Sequence, residues 1–237
     1  MRIKISLPAI NEPISIHDVQ MKVNSYVHKL FGINNEYHDT FSQYCVSSLM
    51  RGKFNKVDKT FTYPKGTYIV FSTNSADIIN AVTKNIWFIK FDDKYEMLSV
   101  KPISEKFITG NNYLTTLTPI LLVDNSERNK RKFITIEDLE VFEKELNKRT
   151  KIKLEKLDVE VDLKNFYIKV LDSGYNKVLP IFVNKVFNLA SQCNLLITGK
   201  NETVNMLYNL GIGQSTGSGF GTVYTTHQHN LYNDVEI

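Results

Sequence analysis

The sequence has few cysteines: only Cys45 and Cys193 occur in 237 residues. Neither has a partner at the short spacing of a metal site, and both are flanked by apolar or strand-forming residues. We therefore expect buried thiols in a reducing compartment. No stretch of about eighteen apolar residues occurs, so we expect no membrane-spanning helix. Arg2 and Lys4 interrupt the first strand and no apolar segment follows, which predicts no signal peptide and a cytoplasmic location.

The clusters of metal-dependent enzymes are also missing from the sequence. Histidines and cysteines do not occur at ligand spacing, and the motif H-E-x-x-H is absent. His227 and His229 lie in a polar C-terminal stretch that is more typical of a disordered terminus than of a metal site. The acidic residues are scattered, which does not favour a two-metal nuclease centre. We expect no metal and no cofactor.

The net charge of +4 is small, but its distribution is uneven. Residues 1–118 contain 14 Lys and Arg against 10 Asp and Glu, whereas the second half is balanced. The basic arm, defined as residues 51–66, has one acid, Asp58, and five basic side chains: Arg51, Lys53, Lys56, Lys59 and Lys65. Such a segment fits either a solvated hairpin or a surface for a polyanion.

Aromatic residues interleave with the cations of the basic arm and the strand that follows it: Phe54, Phe61, Tyr63 and Tyr68. Aromatic faces can stack on splayed bases while Lys and Arg hold phosphates. The same alternation is also typical of a plain amphipathic strand. The pattern leaves both interpretations open.

Glycine is concentrated near the C-terminus. The glycine loop, residues 211–221, has the sequence GIGQSTGSGFG and holds five of the eleven glycines. No Gly-Lys-Ser/Thr follows, which excludes a Walker phosphate loop, and the loop follows a predicted helix, which excludes the dinucleotide fingerprint. A row of backbone N–H groups can bind an anion. The alternative is a flexible hinge, although the apolar Phe220 and Val223 argue against it.

The glycine loop with the following Thr-Val resembles the C-terminal signature of CRISPR-associated endoribonucleases of the RAMP superfamily, in the family that cuts precursor CRISPR RNA at its repeats. The resemblance extends to the start of the chain and to its total length. It implies an α+β fold of two tandem ferredoxin-like (βαββαβ) domains with a C-terminal glycine-rich loop. The element order read from the sequence, β-α-β-β-α-β in the first half, agrees with that arrangement.

The resulting prediction places an N-terminal ferredoxin-like domain at residues 1–92, including the basic arm. A junction follows at about residues 93–112, and the C-terminal domain covers residues 113–237. Apolar patterns predict the fourth strand of the first domain at residues 86–91 and a strand at residues 117–123. Helices are predicted to end at Gly32, to begin after Ser75 or Asn74, and to begin after Thr135.

The resemblance also implies a catalytic histidine. In that family the general acid–base histidine lies after the first helix and before a strand with an "f-s-x-L" motif. Tyr44-Cys-Val-Ser-Ser-Leu matches the motif, and His38 stands where the histidine is expected. Without the resemblance, His38 would be an ordinary surface-loop histidine. Histidine suits transfer of the ribose 2′-hydroxyl proton and protonation of the leaving 5′-oxygen, because its pKa is near neutrality.

Members of the family also use a lysine, a tyrosine or both. The candidate for stabilising the phosphorane is Lys53, with Arg51 second, and Tyr37 and Tyr26 are candidates for orienting groups. This chemistry would be metal-independent and would leave a 2′,3′-cyclic phosphate and a 5′-hydroxyl.

The expected partner is CRISPR repeat RNA, together with subunits of an interference complex if the protein works within one. The predicted RNA contacts are three basic side chains of the arm and seven residues of the glycine loop. They are Arg51, Lys56, Lys59, Gly211, Gly213, Gln214, Ser215, Thr216, Gly217 and Gly219. The polar residues 214–216 lack the basic side chain that many family members carry there. Two alternatives remain: a non-catalytic RNA-binding subunit of an interference complex, and a small-molecule enzyme on a ferredoxin-like scaffold.

Overall fold

The computed structural model describes residues 1–32, 43–125, 131–157, 165–183 and 185–225. In the first half the strands are β1 (Arg2–Leu7), β2 (Ile10–Ser15), β3 (Tyr44–Val46), β4 (Lys53–Asn55), β5 (Thr60–Tyr63), β6 (Thr67–Thr73) and β7 (Ser99–Ile103). In the second half they are β8 (Gly110–Thr116), β9 (Val123–Asp124), β10 (Lys132–Phe133), β11 (Tyr167–Leu171), β12 (Lys177–Val183), β13 (Val186–Gln192), β14 (Asn194–Gly199) and β15 (Val223–Thr225). The helices are α1 (Val19–Phe31), α2 (Ala76–Asn85), α3 (Leu139–Glu155) and α4 (Asn201–Leu210), and a short 3-10 helix covers Thr216–Ser218.

Two antiparallel four-stranded sheets organise the chain. The first has the order β3-β6-β1-β7 and the second β11-β14-β8-β15. In each, the strands that follow the βαββαβ sequence take the spatial order second, third, first, fourth, which is the ferredoxin-like arrangement. The prediction of an α+β fold with two such units is confirmed, because the same order appears twice.

The first sheet is built from strands whose two faces differ. Ile3 and Ile5 are fully buried and pair with Phe71 and Ile69 of β6, and this face packs on α1 and α2 in one core cluster. Side chains alternate across a strand, so Arg2, Lys4 and Ser6 belong to the opposite face. That face carries Tyr68 and is the one on which the cations collect.

The second sheet packs on α3 and α4 through a separate core. Leu114 of β8, Leu195 of β14 and Ile168 of β11 are almost completely buried with Phe142 and Leu207 from the two helices. The hairpin β12–β13 forms its own two-stranded sheet beside this unit. It touches the first half of the chain where the ring of Phe182 lies 4.2 Å from that of His17.

Two predicted strands are wrong. Residues 86–91 do not pair in the first sheet: Ile86 caps α2, and Trp87 and Phe88 are exposed. The fourth strand is β7, which pairs with β1 and lies inside the predicted junction. Residues 117–123 are likewise not one strand: only Val123 belongs to a named strand, β9. The first strand of the second sheet is β8. Both errors took an apolar run for a sheet strand, whereas β7 (SVKPI) and β8 (GNNYLTT) contain no long apolar run. The domain boundaries stay a prediction.

The predicted helix ends are mostly confirmed. Gly32 ends α1 with a φ of 93°, and the Ser75 hydroxyl accepts a hydrogen bond from the N–H of Ile78 at the start of α2. The predicted cap at Thr135 is wrong, since the Asp138 carboxylate caps α3 by accepting from Val141 N at 3.3 Å. Within the described ranges, no helix has the length and apolar composition needed to cross a membrane.

Candidate functional site

The predicted catalytic residues His38 and Tyr37 lie outside the described residues. The described chain stops before them at Gly32 and resumes at Gln43, so β3 begins two residues after the gap, at Tyr44. Tyr44 pairs with Thr73 at one end of β6. The catalytic roles of His38 and Tyr37 stay predictions.

The glycine loop packs directly against that end of the sheet. A Cβ placed on Gly211, whose φ is +72°, would lie 2.6 Å from the Cys45 sulfur of β3. A side chain on Gly219, whose φ is +97°, would overlap the Gln20 side chain of α1. The positive φ favours glycine at both positions, and at Gly211 the close Cys45 sulfur and Gly221 backbone oxygen leave no space for a side chain. The loop thus joins the second half of the chain to β3 and α1 of the first.

Polar groups of the loop are largely used inside the protein. Thr216 is buried, and its hydroxyl donates to the Tyr44 carbonyl at 3.2 Å. The Gln214 side-chain oxygen accepts from Val123 N at 2.6 Å, and the Gln214 backbone N–H donates to Leu121 O at 3.0 Å. Gly211, Gly217 and Gly219 are buried, Gly213 and Gln214 are half-buried, and Ser215 is exposed. The RNA-binding role of these residues stays a prediction, and Ser215 is the most open of them.

Two buried cations hold the junction between α4 and the glycine loop. Arg2 of β1 donates to the carbonyls of Tyr208 and Val223 and lies over the Tyr208 ring, 3.5 Å from its centroid. Lys153 of α3 donates from Nζ to Leu210 O at 2.7 Å, to Gly211 O at 3.1 Å and to the Thr216 hydroxyl at 3.2 Å. The last carbonyls of a helix need such donors, and a cation is favoured at its negative end.

Neither Arg2 nor Lys153 was predicted from the sequence to support the glycine loop. Lys153 is one of several lysines on α3, and nothing in its spacing distinguishes a buried one from its solvated neighbours. Arg2 looks like the polar half of an alternating strand. Burial lowers the pKa of Lys153 to about 8.

A basic cleft of about 920 Å³ opens on the face of the first sheet away from α1 and α2. Its cationic lining residues are Lys4, Arg51, Lys65 and Lys101. The Tyr68 ring lies between two of them, with Lys4 Nζ at 4.5 Å and Arg51 Cζ at 5.3 Å from its centroid. No acidic residue is among the described side chains that line the cleft. The sequence pointed to Arg51 here but not to Lys4 or Lys101, which come from β1 and β7.

The basic arm is a β4–β5 hairpin that extends a small sheet with β2. Lys53, Lys56 and Lys59 are all exposed on it. The Phe54 and Phe61 rings pack on each other with centroids 4.8 Å apart, and Phe54 is 44% exposed. The aromatic pattern therefore serves the hairpin's own packing and still leaves Phe54 accessible.

Tyr44 and Met50 contact opposite ends of β6. Tyr44 pairs with Thr73, whereas Met50 N bonds to Tyr68 O just before the basic arm that carries Lys53. Thr73 and Tyr68 are five residues apart on β6, which is about 17 Å at the usual rise per residue. The role of Lys53 stays a prediction. Tyr26 is only 1% exposed in the first core, and burial raises its pKa to about 12, so an orienting role at an RNA is not supported.

Comparison with protein families decides which family this fold belongs to. The family model described as CRISPR associated protein Cas6, C-terminal, matches residues 102–225, slightly more than half of the chain. The chain belongs to the Cas6 family. The match spans β8 to β15 and so includes the glycine loop that carried the resemblance. Among curated proteins, none matches this chain in sequence.

Solved structures share the Cas6 fold over nearly the whole chain. A structure described as "An RAMP protein binding different RNA substrates" has a TM-score of 0.79 and 22% identity, covering 95% of this chain and 99% of that one. A Cas6-related protein from Pyrococcus furiosus has a TM-score of 0.77 and 20% identity, covering 97% and 99%. A structure described as "CRISPR associated protein Cas6" has a TM-score of 0.74 and 20% identity, covering 95% and 99%. At this identity the comparison establishes the fold.

Proposed function

We propose that this protein is a metal-independent endoribonuclease that cuts CRISPR repeat RNA to make guide RNAs. Membership of the Cas6 family supports a role in CRISPR RNA processing or binding. The observation that carries the proposal is the basic cleft, which is lined by four cations and, among its described lining residues, by no acidic one. Phosphates are attracted by such a surface, and the exposed Phe54 of the basic arm offers a face on which a base can stack, which together fit a single-stranded RNA.

The proposed path of the RNA follows the cleft. Lys101 and Lys65 are exposed on its rim and can bind phosphates, while Arg51 lies where the cleft meets the basic arm. The exposed Lys56 and Lys59 extend the same positive surface along the hairpin. The strand would then run toward the Tyr44 end of the sheet, where the segment containing His38 rejoins β3.

The proposed reaction is attack of the ribose 2′-hydroxyl on the adjacent phosphorus. His38 takes the 2′ proton or protonates the leaving 5′-oxygen, so the products are a 2′,3′-cyclic phosphate and a 5′-hydroxyl. A cation or donor must face the phosphorane, and Lys53 or Arg51 is proposed for that task. DNA lacks the attacking hydroxyl and would not react.

Cleavage of repeat RNA in EDTA tests this proposal. The wild type should cut, and His38→Ala should lower the single-turnover rate by about 100-fold or more, since general acid–base catalysis contributes that much. His17→Ala is the control, because His17 packs on Phe182 and has no proposed role, and its rate should stay within about threefold of wild type. Loss of wild-type cutting on chelation would contradict the metal-free mechanism, and full activity of His38→Ala would contradict the assignment of His38.

A non-catalytic RNA-binding protein is the second candidate. It needs only the basic cleft, whose four cations are described, and no catalytic histidine. A repeat RNA with a 2′-deoxy substitution at the cleavage position distinguishes the two. Under the nuclease proposal this RNA binds with nearly unchanged affinity and is not cut, whereas a pure binder leaves the unmodified RNA intact as well.

A further inference from the structure

The tip of the basic arm, defined as residues 55–59, exposes an apolar side chain that the fold does not use. Val57 is 88% exposed, whereas Phe54 of the same hairpin packs on Phe61. Burying a valine is favourable, so a valine left in water at a turn adds nothing to the stability of the folded protein. Single exposed apolar residues are normal on a protein surface, and a binding role therefore depends on how this turn is built.

The turn that carries Val57 is held in one conformation. The side-chain oxygen of Asn55 accepts from Val57 N at 3.0 Å, and the side-chain N–H of Asn55 donates to Asp58 Oδ2 at 2.7 Å. Lys59 has a left-handed backbone with a φ of 52°, and its carbonyl accepts from Ile16 N at 3.0 Å. The tip therefore presents Val57 with little conformational freedom to lose on binding.

Exposed cations lie on both sides of Val57. Lys53, Lys56 and Lys59 are open to solvent, and within the ranges that the structure describes none of them forms an ion pair. Asp58, the one acid of the arm, bonds to the side chain of Asn55 instead. A partner that matches the tip must therefore offer anionic groups on either side of an apolar surface.

The end of a base-paired stem has this arrangement. The last base pair exposes a flat face, and the phosphates of the two strands lie on either side of it. Proteins place apolar side chains against partly unstacked base steps in a similar way. Arg51 lines the basic cleft and begins the arm, so a single strand bound in the cleft leads to the tip. An acidic protein surface with an apolar recess is the other possible occupant, but it gives no reason for this continuity.

We propose that the tip of the basic arm binds the end of a base-paired stem, with Val57 against the last base pair and Lys56 and Lys59 at the phosphates of the two strands. The favoured substrate is then an RNA in which a stem adjoins the single strand held by the basic cleft. The inference rests on the proposed function, because it takes the cleft as the site of the single strand. Val57 sets the preference for the stem and has no part in the chemical step.

Equilibrium binding of two RNAs tests the proposal. Both have the same length and composition and carry 2′-O-methyl groups, which remove the attacking hydroxyl. One forms a short stem beside a single strand, and the other is unpaired throughout. The wild type should bind the stem RNA at least about fivefold more tightly, which is the size expected for partial burial of one valine.

Val57→Ser should reduce the preference for the stem RNA to less than about twofold and leave the affinity for the unpaired RNA unchanged within about twofold. Val141→Ser replaces an exposed valine of α3 and is the matched control, so it should keep the full preference. 2-Aminopurine at the last base pair gives a second readout. Its emission should change when the wild type binds and should change less with Val57→Ser.

Asn55→Ala is a second variant that leaves Val57 in place. It removes the side chain that holds the turn, so Val57 must be ordered on binding and the preference should fall about threefold. A preference that survives both Val57→Ser and Asn55→Ala would overturn the proposal and leave the tip to an acidic protein partner.

The two RNAs also separate this inference from the proposed function. Equal affinity of the wild type for both would overturn the stem contact and leave the proposed function standing, because the basic cleft alone then accounts for binding. If the wild type binds neither RNA, the proposed function is wrong and this inference is wrong with it.

Discussion

The glycine loop and the basic arm were both predicted to contact RNA, and they differ most in how their polar groups are used. The loop is mainly buried, and Gln214 and Thr216 already bond to protein groups. The arm is exposed along most of its length, with Lys53, Lys56 and Lys59 open to solvent. A glycine-rich loop can therefore be required by close packing between two halves of a protein, whereas a basic hairpin offers its charge directly to a partner.

The largest expected effect is on the stability of the protein, when the packing of the glycine loop is disturbed. Gly211→Ala should destabilise the protein by about 2–4 kcal/mol, because the new Cβ meets the Cys45 sulfur at 2.6 Å and the φ of +72° is strained for alanine. Urea unfolding measures the change. Gly174→Ala is the matched control, since a Cβ there meets nothing within 4 Å. Equal stability of Gly211→Ala and wild type would mean that the loop is not a packed junction.

The pH dependence of stability tests the buried cation that supports the loop. Between pH 8 and 10.5 the unfolded chain keeps the Lys153 proton and the folded protein releases it, so the folded state gains stability as pH rises. The unfolding free energy of wild type relative to Lys153→Met should increase by about 3 kcal/mol across this window. Using the difference between the two proteins removes the tyrosines and Cys193 from the comparison. A constant difference from pH 7.5 to 10.5 would contradict a buried ammonium at Lys153.

RNA binding at several salt concentrations tests which region carries the contacts. Lys101→Met and Lys65→Met, on the rim of the basic cleft, should each weaken binding several-fold and reduce the slope of log K against log salt by about 0.7. Ser215→Ala, in the most open part of the glycine loop, should change the affinity by less than about twofold. Lys84→Met, on the exposed end of α2, is the charge-matched control. A larger effect of Ser215→Ala than of the two cleft variants would reverse the assignment of the regions.

Much of the fold followed from local patterns. Ile3, Ile5 and Leu7 alternate with polar residues, and their burial against the helices confirmed the predicted strand. The Ser75 cap and the Gly32 stop depend on a few neighbouring atoms, so they could be found without tertiary information. Residues 86–91 could not be assigned correctly from local patterns. Their apolar run predicts a strand, but the next strand, β7, took the place beside β1.

Less of the candidate site could be predicted from the sequence. Arg51 was predicted as an RNA contact, and it lies in the basic cleft, but Lys4 and Lys101 reach the same cleft from strands far apart in the sequence. Charge counting along the chain cannot group such residues, because sheet pairing brings them together. Lys153 was missed for the opposite reason, since burial of one lysine among many depends on what packs over the helix.

The sequence by itself determined the family resemblance, the β-α-β-β-α-β order of the first half and the positions of the glycines, because each of these depends on residues close together along the chain. Tertiary structure decided that Gly211 and Gly219 face protein, that four cations share one cleft, and that an ammonium caps the end of α4. These features depend on contacts between residues far apart along the chain, from 57 residues for Lys153 with Leu210 to 221 for Arg2 with Val223. Whether a charge is solvated or buried is a property of those contacts, and no local pattern contains it.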